Sequence, residues 1–329
     1  MDKDFEVSVV IPVRDEVDAL PELIASLQSQ TFPPAEIVIV DGGSTDGTVA
    51  RARQLTAGDK RFRVVEAGKA TPGRGRNIGI AAASNEWIAL ADAGSRLESQ
   101  WLERLVKVVQ DDPAIAFVYG NFEPIIDSFF TRCASLAYIS PKQMRPGGLI
   151  RVPCIASSLM RRETWRQVGG FPDLRAAEDL MFIEKIEQQG CKMGWAPQAT
   201  IWWHIQPTLR DTFKRFAVYS RHNVWAGRQR GWHYGVARQY LLMLLVVVLA
   251  LVHSPWWLGL IALGFGARVA KSIWRRRREG SGLGWLFNPI QFLGVAVIIL
   301  TIDLATFVGW AQALWQRPGI SASPEVTGD

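Results

Sequence analysis

The chain has 329 residues, 48% of them hydrophobic and 21% charged, so it can bury the core of one large domain or two smaller ones. Its formal net charge is +6, but the densest basic cluster, Arg275–Arg278, lies between apolar segments. That position suits anionic lipid headgroups and argues against a nucleic-acid-binding protein. The three cysteines lack the spacing of a metal site, which excludes a cysteine-based zinc centre and predicts reduced, buried thiols in a cytosolic domain.

The first 120 residues alternate between segments typical of strands and segments with helical spacing. Charged residues at the N-terminus run directly into the first strand, so we expect no signal peptide and a first domain that stays where it is made. The predicted strands are Val7–Val13, Glu36–Asp41, Arg63–Glu66, Trp87–Ala91 and Ile115–Tyr119, and the predicted helices cover 20–27, 79–83 and 98–110. This alternation predicts an α/β fold, with a mostly parallel sheet flanked by helices.

The next part of the chain is less regular. Residues 121–160 are rich in proline and glycine, and we interpret them as a long loop region over the edge of the sheet, with 157–160 returning to it. Glu178–Gln189 then shows helical spacing and ends at Gly190.

Two aspartates directly follow predicted strands. Asp41 ends the second strand and Asp92 ends the fourth. Ligands of parallel α/β sheets bind beyond the carboxyl ends of the strands, so we expect both carboxylates to face one crevice. Asp41 taken alone is equally well explained as the start of a turn, because aspartate favours turns.

Several segments together resemble the inverting, GT-A-fold glycosyltransferases of family 2. They are VSVVIPVRDE at 7–16, EIVIVDGGSTDGT at 36–48, RNIGI at 76–80, and an acidic pair that follows GGF at 169–171. The resemblance covers about residues 5–215 and implies a GT-A catalytic domain over 1–210 that binds a nucleotide-diphospho-sugar. The residues it implies for donor binding are Pro12, Arg14, Glu16, Asp41, Arg76, Asn77 and Asp92.

The resemblance also implies a divalent cation, Mg²⁺ or Mn²⁺, which prefers hard oxygen ligands. The family's Asp-x-Asp motif reads Asp92-Ala93-Gly94 here, so the second acid is missing. Either Asp92 binds the cation with phosphate oxygens and His204, or metal dependence is weakened. His204 also fits a packed interface histidine, because Trp202, Trp203 and Ile205 surround it in the sequence.

Glu178 and Asp179 resemble the family's acidic pair near the acceptor. The resemblance implies that Asp179 is the general base that deprotonates the acceptor hydroxyl for one in-line, inverting displacement. Taken alone, the pair also fits acids placed against the dipole at the start of a helix.

Residues 211–235 combine arginine and lysine with aromatic side chains. One interpretation is a solvated basic helix face. The other is an amphipathic interfacial segment that seats the domain on anionic lipid, and the apolar sequence directly after it favours this second interpretation.

Residues 236–316 are predicted to form about three transmembrane helices. Gln239–Ala267 contains no charged residue, and Pro255 divides it. Two spans, about Tyr234–Val252 and Trp256–Ile273, keep Arg275–Arg278 on the cytoplasmic side. A third span, Pro289–Trp315, carries Asp303, which indicates either function or pairing with another helix. Residues 317–329 are predicted to be a disordered tail.

These patterns predict a multi-pass cell-membrane enzyme with a cytoplasmic catalytic domain. It would transfer sugar to polyprenyl phosphate, a lipid-linked oligosaccharide or a glycolipid, with membrane lipids as further partners and no nucleic acid. The alternative is a catalytically impaired scaffold protein of the same fold, which Gly94 keeps open. A nucleotide-binding oxidoreductase is less favoured, because the first strand lacks a Gly-x-Gly-x-x-Gly turn.

Overall fold

The computed structural model describes residues 5–276 and 288–316 of the protein. The described chain divides into two compact units. Residues 5–124 and 142–204 form the first, and 125–141, 205–276 and 288–316 form the second. The predicted tail at 317–329 and two arginines of the cluster at 275–278 lie outside the described residues.

The strands are β1 (Val7–Val13), β2 (Glu36–Asp41), β3 (Phe62–Glu66), β4 (Trp87–Leu90), β5 (Ser95–Leu97), β6 (Phe117–Ile125), β7 (Gln143–Arg145), β8 (Gly148–Ile150), β9 (Ser158–Arg161) and β10 (Met193–His204). The helices are α1 (Leu20–Gln28), α2 (Thr48–Leu55), α3 (Pro72–Ala82), α4 (Trp101–Asp111), α5 (Phe129–Tyr138), α6 (Arg162–Gln167), α7 (Glu178–Gln188), α8 (Leu209–Trp225), α9 (His233–Val252), α10 (Leu258–Trp274) and α11 (Pro289–Trp315).

Eight strands of the first unit form one sheet in the order β3-β2-β1-β4-β9-β6-β10-β5. The first four are parallel to one another, whereas β9 is antiparallel to both β4 and β6. The predicted α/β class is confirmed. The chain moves from β1 to β2 and β3 on one side and then returns to β4 on the other, which creates a switch point between β1 and β4 where such sheets bind ligands.

The core of the first unit lies between the sheet and helices of one face. Val10, Leu90 and Phe117 from the sheet are fully buried against Ile80 of α3 and Phe182 of α7. Burial of each such side chain contributes about 1.5–3 kcal/mol relative to exposure. The same packing fixes α3 and α7, which carry Arg76 and the acidic pair.

The helix predicted at 79–83 begins earlier, at Pro72. The Thr71 hydroxyl accepts a hydrogen bond from the Arg74 amide, and Pro72 occupies the first turn, where a missing N–H has no cost. Glycine lowers helix propensity, which hid this start in the sequence. The close contact explains Gly73, because a Cβ there would meet Pro172 O at 2.1 Å.

The interpretation of 121–160 as one long loop region was wrong. Helix α5 lies inside it and begins with a capping box, in which Ser128 and Thr131 each satisfy the other's backbone N–H. Strands β7 and β8 form a hairpin through Gly147 at φ +87° and Gly148 at φ +139°. The predicted return of 157–160 to the sheet is confirmed as β9.

The second unit contains α5 and α8–α11. The bounds of α9, α10 and α11 agree closely with the three predicted apolar segments. Helices α9 and α11, of 20 and 27 residues, are long and apolar enough to cross a membrane, whereas the 17 residues of α10 extend only about 25 Å. The number of spans stays a prediction.

Asp303 of α11 is 1% exposed and is fully engaged with neighbouring helices. Its two oxygens lie 2.5 and 2.8 Å from the Arg268 guanidinium of α10, and Tyr240 of α9 donates to it at 3.0 Å. Of the two predicted explanations, the structure therefore supports pairing between helices.

Helices α8 and α11 approach each other at Gly309. A Cβ there would meet Ala217 O at 2.2 Å and the Ser220 side chain at 2.7 Å. We expect Gly309→Ala to destabilise the protein by about 1–3 kcal/mol in detergent, because the clash involves backbone that must move. Gly264→Ala on α10 is the control. A Cβ there meets nothing within 4 Å, so alanine raises helix propensity and the thermal midpoint. Equal midpoints for the two variants would contradict the close approach.

Candidate active site

The loops after β1, β2 and β4 lie at the same edge of the sheet because these strands are parallel. Several hydrogen bonds join the loop after β1 to the segment after β2. The Asp15 amide donates to Ser44 Oγ at 2.9 Å, the Glu16 amide donates to Thr48 Oγ1 at 2.9 Å, and Asp15 Oδ1 accepts from the Thr45 amide at 2.8 Å. Asp15 has φ +54°, a conformation uncommon outside glycine, so the loop holds local strain.

Asp41 is placed at the end of β2, as predicted, and is 4% exposed. Its Oδ2 accepts hydrogen bonds from the amides of Gly43 at 3.0 Å and Ser44 at 3.1 Å. The carboxylate therefore stabilises the turn that follows β2. Its role with the nucleoside stays a prediction.

Glu16 follows β1 and Asp92 follows β4, on the two sides of the switch point. Burial raises the pKa of Glu16, and the negative charges of Asp92 and Asp46 raise it further. Pro12 lies within β1, with its Cβ 3.2 Å from the position of a Cβ on Gly75, so β1 also contacts the start of α3. Arg14 is exposed and lies 3.7 Å from Asp15.

Arg76 joins two of the predicted carboxylates. Its side chain is 5% exposed, with Nη1 2.8 Å from Glu178 Oε1 and Nη2 2.7 Å from Asp92 Oδ1. Burial opposes the charged guanidinium, but the two carboxylates outweigh it and raise the pKa of Arg76. Residues that are 102 positions apart in the sequence thus form one buried network.

The acidic pair begins α7. Ala177, directly before it, has φ +68°, a strained conformation that costs about 1–3 kcal/mol and is typical of functional sites. Burial raises the pKa of both Glu178 and Asp179, and the Arg76 charge acts in the opposite direction. A carboxylate with a raised pKa is a stronger base than an exposed one, which suits proton abstraction.

Asn77 is placed beside Arg76, but its side chain contacts the turn before α7. Its Oδ1 accepts from Trp165 Nε1 and from the Phe171 amide, both at 2.9 Å, and its Nδ2 donates to Phe171 O at 2.8 Å. The sequence resemblance did not indicate these contacts. The GGF segment was the available signal, because it lies directly upstream of the acidic pair.

A divalent cation shared with donor phosphates needs only one or two protein carboxylates. Asp92 fits that requirement, since its side chain is 45% exposed and the ion pair with Arg76 is made through Oδ1. His204 Nε2 lies 3.5 Å from Glu22 Oε2, and no group of three metal-ligating side chains exists among the described residues. The residues present fit a cation bound with the donor, and the ligand role of His204 stays a prediction.

Cys154 is a neighbour of the site that the sequence did not indicate. Burial raises the pKa of its thiol to about 12, and the negative charges of Asp92 and Asp179 contribute. The thiol is therefore protonated at neutral pH and is a poor nucleophile.

Comparison with known proteins identifies the family and the fold of this part of the chain. Residues 8–169, which run from the start of β1 to the end of α6 and contain Arg76 and Asp92, match the family described as "Glycosyl transferase family 2". The chain carries a family 2 glycosyltransferase domain. The acidic pair lies nine residues beyond the matched range.

Two curated relatives extend the comparison. Glycosyltransferase AglE of Haloferax volcanii is 29% identical over 195 residues, which cover 58% of this chain and 64% of the relative. The chain thus spans a little under two thirds of that relative's length. The succinoglycan biosynthesis protein ExoA of Rhizobium meliloti is 24% identical over 324 residues and is covered, like this chain, to 94%.

The GT-A fold of the family 2 domain is also found in a solved structure. It is the mannosyltransferase PcManGT of Pyrobaculum calidifontis, in complex with GDP-Man and Mn²⁺. The TM-score is 0.55 at 18% identity, covering 96% of this chain and 89% of the other. At this identity the likeness establishes the fold.

Proposed function

We propose that the protein transfers a sugar from a nucleotide-diphospho-sugar to a membrane-associated acceptor with inversion. The acceptor is polyprenyl phosphate, a lipid-linked oligosaccharide or a glycolipid. The observation that carries the proposal is the Arg76 network, which joins Asp92 at the end of β4 to Glu178 at the start of α7. It brings the predicted donor side and the predicted acceptor side of the reaction to one point.

The donor class is supported by the switch point and by the relatives. Hydrogen bonds join the loops after β1 and β2 at the edge of the sheet where parallel sheets bind nucleotides. The mannosyltransferase of the same fold is described with GDP-Man. Pro12, Arg14, Glu16 and Asp41 are proposed for the nucleoside, and Arg76 and Asp92 for the diphosphate and sugar.

Asp179 is proposed as the general base. Its pKa is raised by burial, so it can take the proton of the acceptor hydroxyl as the oxygen attacks the anomeric carbon. Glu178 holds Arg76 at 2.8 Å and fixes the start of α7. One displacement from the face opposite the leaving group inverts the anomeric configuration.

The leaving diphosphate gains negative charge during transfer. A bound Mg²⁺ or Mn²⁺ would neutralise part of that charge as a Lewis acid, and Asp92 is the residue proposed to hold it. Arg76 orients Asp92 through the 2.7 Å ion pair and adds positive charge nearby. The complex of PcManGT with Mn²⁺ supports a cation in this fold.

The membrane location is supported by α9 and α11, which are long and apolar enough to cross a bilayer. We propose a multi-pass protein with its catalytic domain in the cytoplasm, where nucleotide sugars are made available. A membrane-embedded acceptor follows from that location, because the lipid anchor and the enzyme then share one surface.

The donor is identified most directly by thermal stabilisation. A ligand that binds the native state stabilises it by mass action. At a ligand concentration 100 times Kd the free energy of unfolding rises by about 2.7 kcal/mol, and the thermal midpoint rises with it. We expect one nucleotide sugar of a GDP, UDP and dTDP panel to stabilise the detergent-solubilised protein, and more strongly with Mn²⁺. An unchanged midpoint across the whole panel, with and without Mn²⁺, would contradict nucleotide-sugar binding.

The impaired scaffold was the alternative because Gly94 occupies the place of an acid, and the named glycosyltransferase relatives do not favour it. A Cβ on Gly94 meets nothing within 4 Å, so a side chain can begin there without a clash. We expect Gly94→Asp to tighten apparent Mn²⁺ affinity by about tenfold, or about 1.4 kcal/mol, by adding a second carboxylate. Gly94→Asn, of equal size and without charge, is the control. If both variants leave Mn²⁺ dependence unchanged, the cation does not bind at Asp92.

A further inference from the structure

The side-chain oxygen of Asn77 has no lone pair left to accept a hydrogen bond from a hydroxyl of the nucleotide-sugar donor. A carboxamide oxygen has two lone pairs. Trp165 Nε1 and the Phe171 amide occupy both at 2.9 Å, and Nδ2 bonds Phe171 O at 2.8 Å. The backbone of Phe171 is therefore held at both its N–H and its C=O by one side chain.

The turn around Phe171 is shaped for this contact. Gly170 has φ +69°, and a Cβ there would lie 2.8 Å from Asn77 Oδ1 and 3.1 Å from Trp165 Nε1. Thr71, just before α3, also bonds Asp173 Oδ1 at 2.5 Å. The start of α3 and the segment 170–173 are thus joined at Phe171 and at Asp173.

The Phe171 ring transmits this placement to the charged network. It stacks on Phe182 of α7 at 3.8 Å with an interplanar angle of 17°, and the Arg76 guanidinium lies 5.6 Å from its centroid. Arg76 in turn bonds Glu178 and Asp92. A shift of Phe171 would therefore displace α7, which carries Glu178 and Asp179. It would also displace the Arg76 guanidinium, which bonds Glu178.

We infer that Asn77, with Trp165, is a positioning residue that fixes Phe171 and through it the Arg76–Glu178 pair. It acts on the proposed base Asp179 through Phe171 and Arg76, and not by accepting a hydrogen bond from the sugar donor. This inference rests on the proposed function, and it replaces the donor-binding role that the sequence resemblance implied for Asn77.

The test compares Asn77→Leu, Trp165→Phe and wild type in a transfer assay. Asn77→Leu removes all three bonds, whereas Trp165→Phe removes one and keeps the ring packed. We expect Asn77→Leu to lower kcat by about 10²-fold with donor KM within about threefold, because small misplacements of catalytic groups carry that cost. Trp165→Phe should give a smaller loss of kcat in the same direction.

The pH profile separates positioning from simple loss of stability. Arg76 lowers the pKa of Glu178 and Asp179, so its displacement should move the acidic limb of the kcat profile to higher pH. Lys185→Met is the matched control. Lys185 Nζ donates to Gly170 O at 3.3 Å, in the same turn, and its loss should leave both kcat and the limb unchanged.

Each alternative outcome decides against the inference. A higher KM for the sugar donor at unchanged kcat would show that Asn77 binds the donor. A lower thermal midpoint with unchanged kcat and pH profile would make the contact purely structural. If Asn77→Leu does not fold, Trp165→Phe gives the same three readouts. Wild-type turnover is the separate check on the proposed function, since its absence contradicts sugar transfer and says nothing against Asn77 alone.

Discussion

Replacing Asp179 by asparagine is expected to lower kcat by about 10²–10⁴-fold, the usual contribution of a general base. Asparagine keeps the size of the side chain and can still accept the 2.8 Å bond that Asp179 Oδ1 receives from the Leu180 amide. The fold and donor affinity should therefore persist. Steady-state kinetics, with donor binding measured by calorimetry, checks both parts.

The pH dependence gives a second view of the same residue. A base must be deprotonated to act, so wild-type kcat should fall as pH falls through the pKa of the acidic pair. Burial raises that pKa, which places the acidic limb above the ordinary range of an aspartate, near 3.9. Asp179→Asn should remove the limb from its residual activity.

Glu187→Gln is the control for Asp179→Asn. It makes the same acid-to-amide change on an exposed side chain of α7 and should retain wild-type kcat. Retention of wild-type kcat by Asp179→Asn would assign the base elsewhere. An intact acidic limb in that variant would show that another group titrates.

Replacing Arg76 by methionine is expected to destabilise the protein by about 3–5 kcal/mol. Removing one partner of a buried ion pair leaves uncompensated charge on the other, here on Glu178, which is 5% exposed. Denaturant unfolding of the solubilised protein measures the loss. Activity should also fall strongly, because Asp92 and Glu178 lose the guanidinium that bonds both of them.

The double variant Arg76→Met, Glu178→Gln isolates the ion pair. With the carboxylate already neutral, the arginine has less to compensate, so the double variant should be less destabilised than the sum of the single ones. Strict additivity of the two free energies of unfolding would contradict a direct interaction. Arg76 and Glu178 would then be close in space without energetic coupling.

Local patterns predicted the elements of the first unit well. Val7–Val13 and Glu36–Asp41 are buried strands as predicted, because β-branched apolar runs have few other uses in a soluble domain. The start of α3 was missed since Gly73 and Gly75 look unfavourable in a helix. These positions need glycine because α3 packs closely against Pro172 and Pro12. Both are distant in the sequence, so local propensity could not indicate the requirement.

The candidate site shows the same division. Asp41 and Asp92 each follow a predicted strand. Because alternating strands and helices predict a parallel sheet, both were expected at the same edge of that sheet. The partner of each polar group depended on packing across many residues. Arg76 meets Glu178 from 102 positions away, and Asn77 meets Phe171 from 94. Sequence motifs named these residues without distinguishing substrate contact from support.

The apolar C-terminal region was predictable in its helix bounds and not in its internal contacts. Charge-free sequence and Pro255 marked α9 and α10. The partners of Asp303 could not be read from spacing, because Arg268 lies 35 residues and Tyr240 63 residues away.

The central claim is tested most directly by the stereochemistry of transfer. The measurement is the anomeric configuration of the new glycosidic bond, followed by NMR with a donor labelled at the anomeric carbon and an acceptor in lipid vesicles. We predict a single product of inverted configuration with wild type and almost none with Asp179→Asn. A product that retains the donor configuration, or equal product from both proteins, would contradict one displacement driven by Asp179.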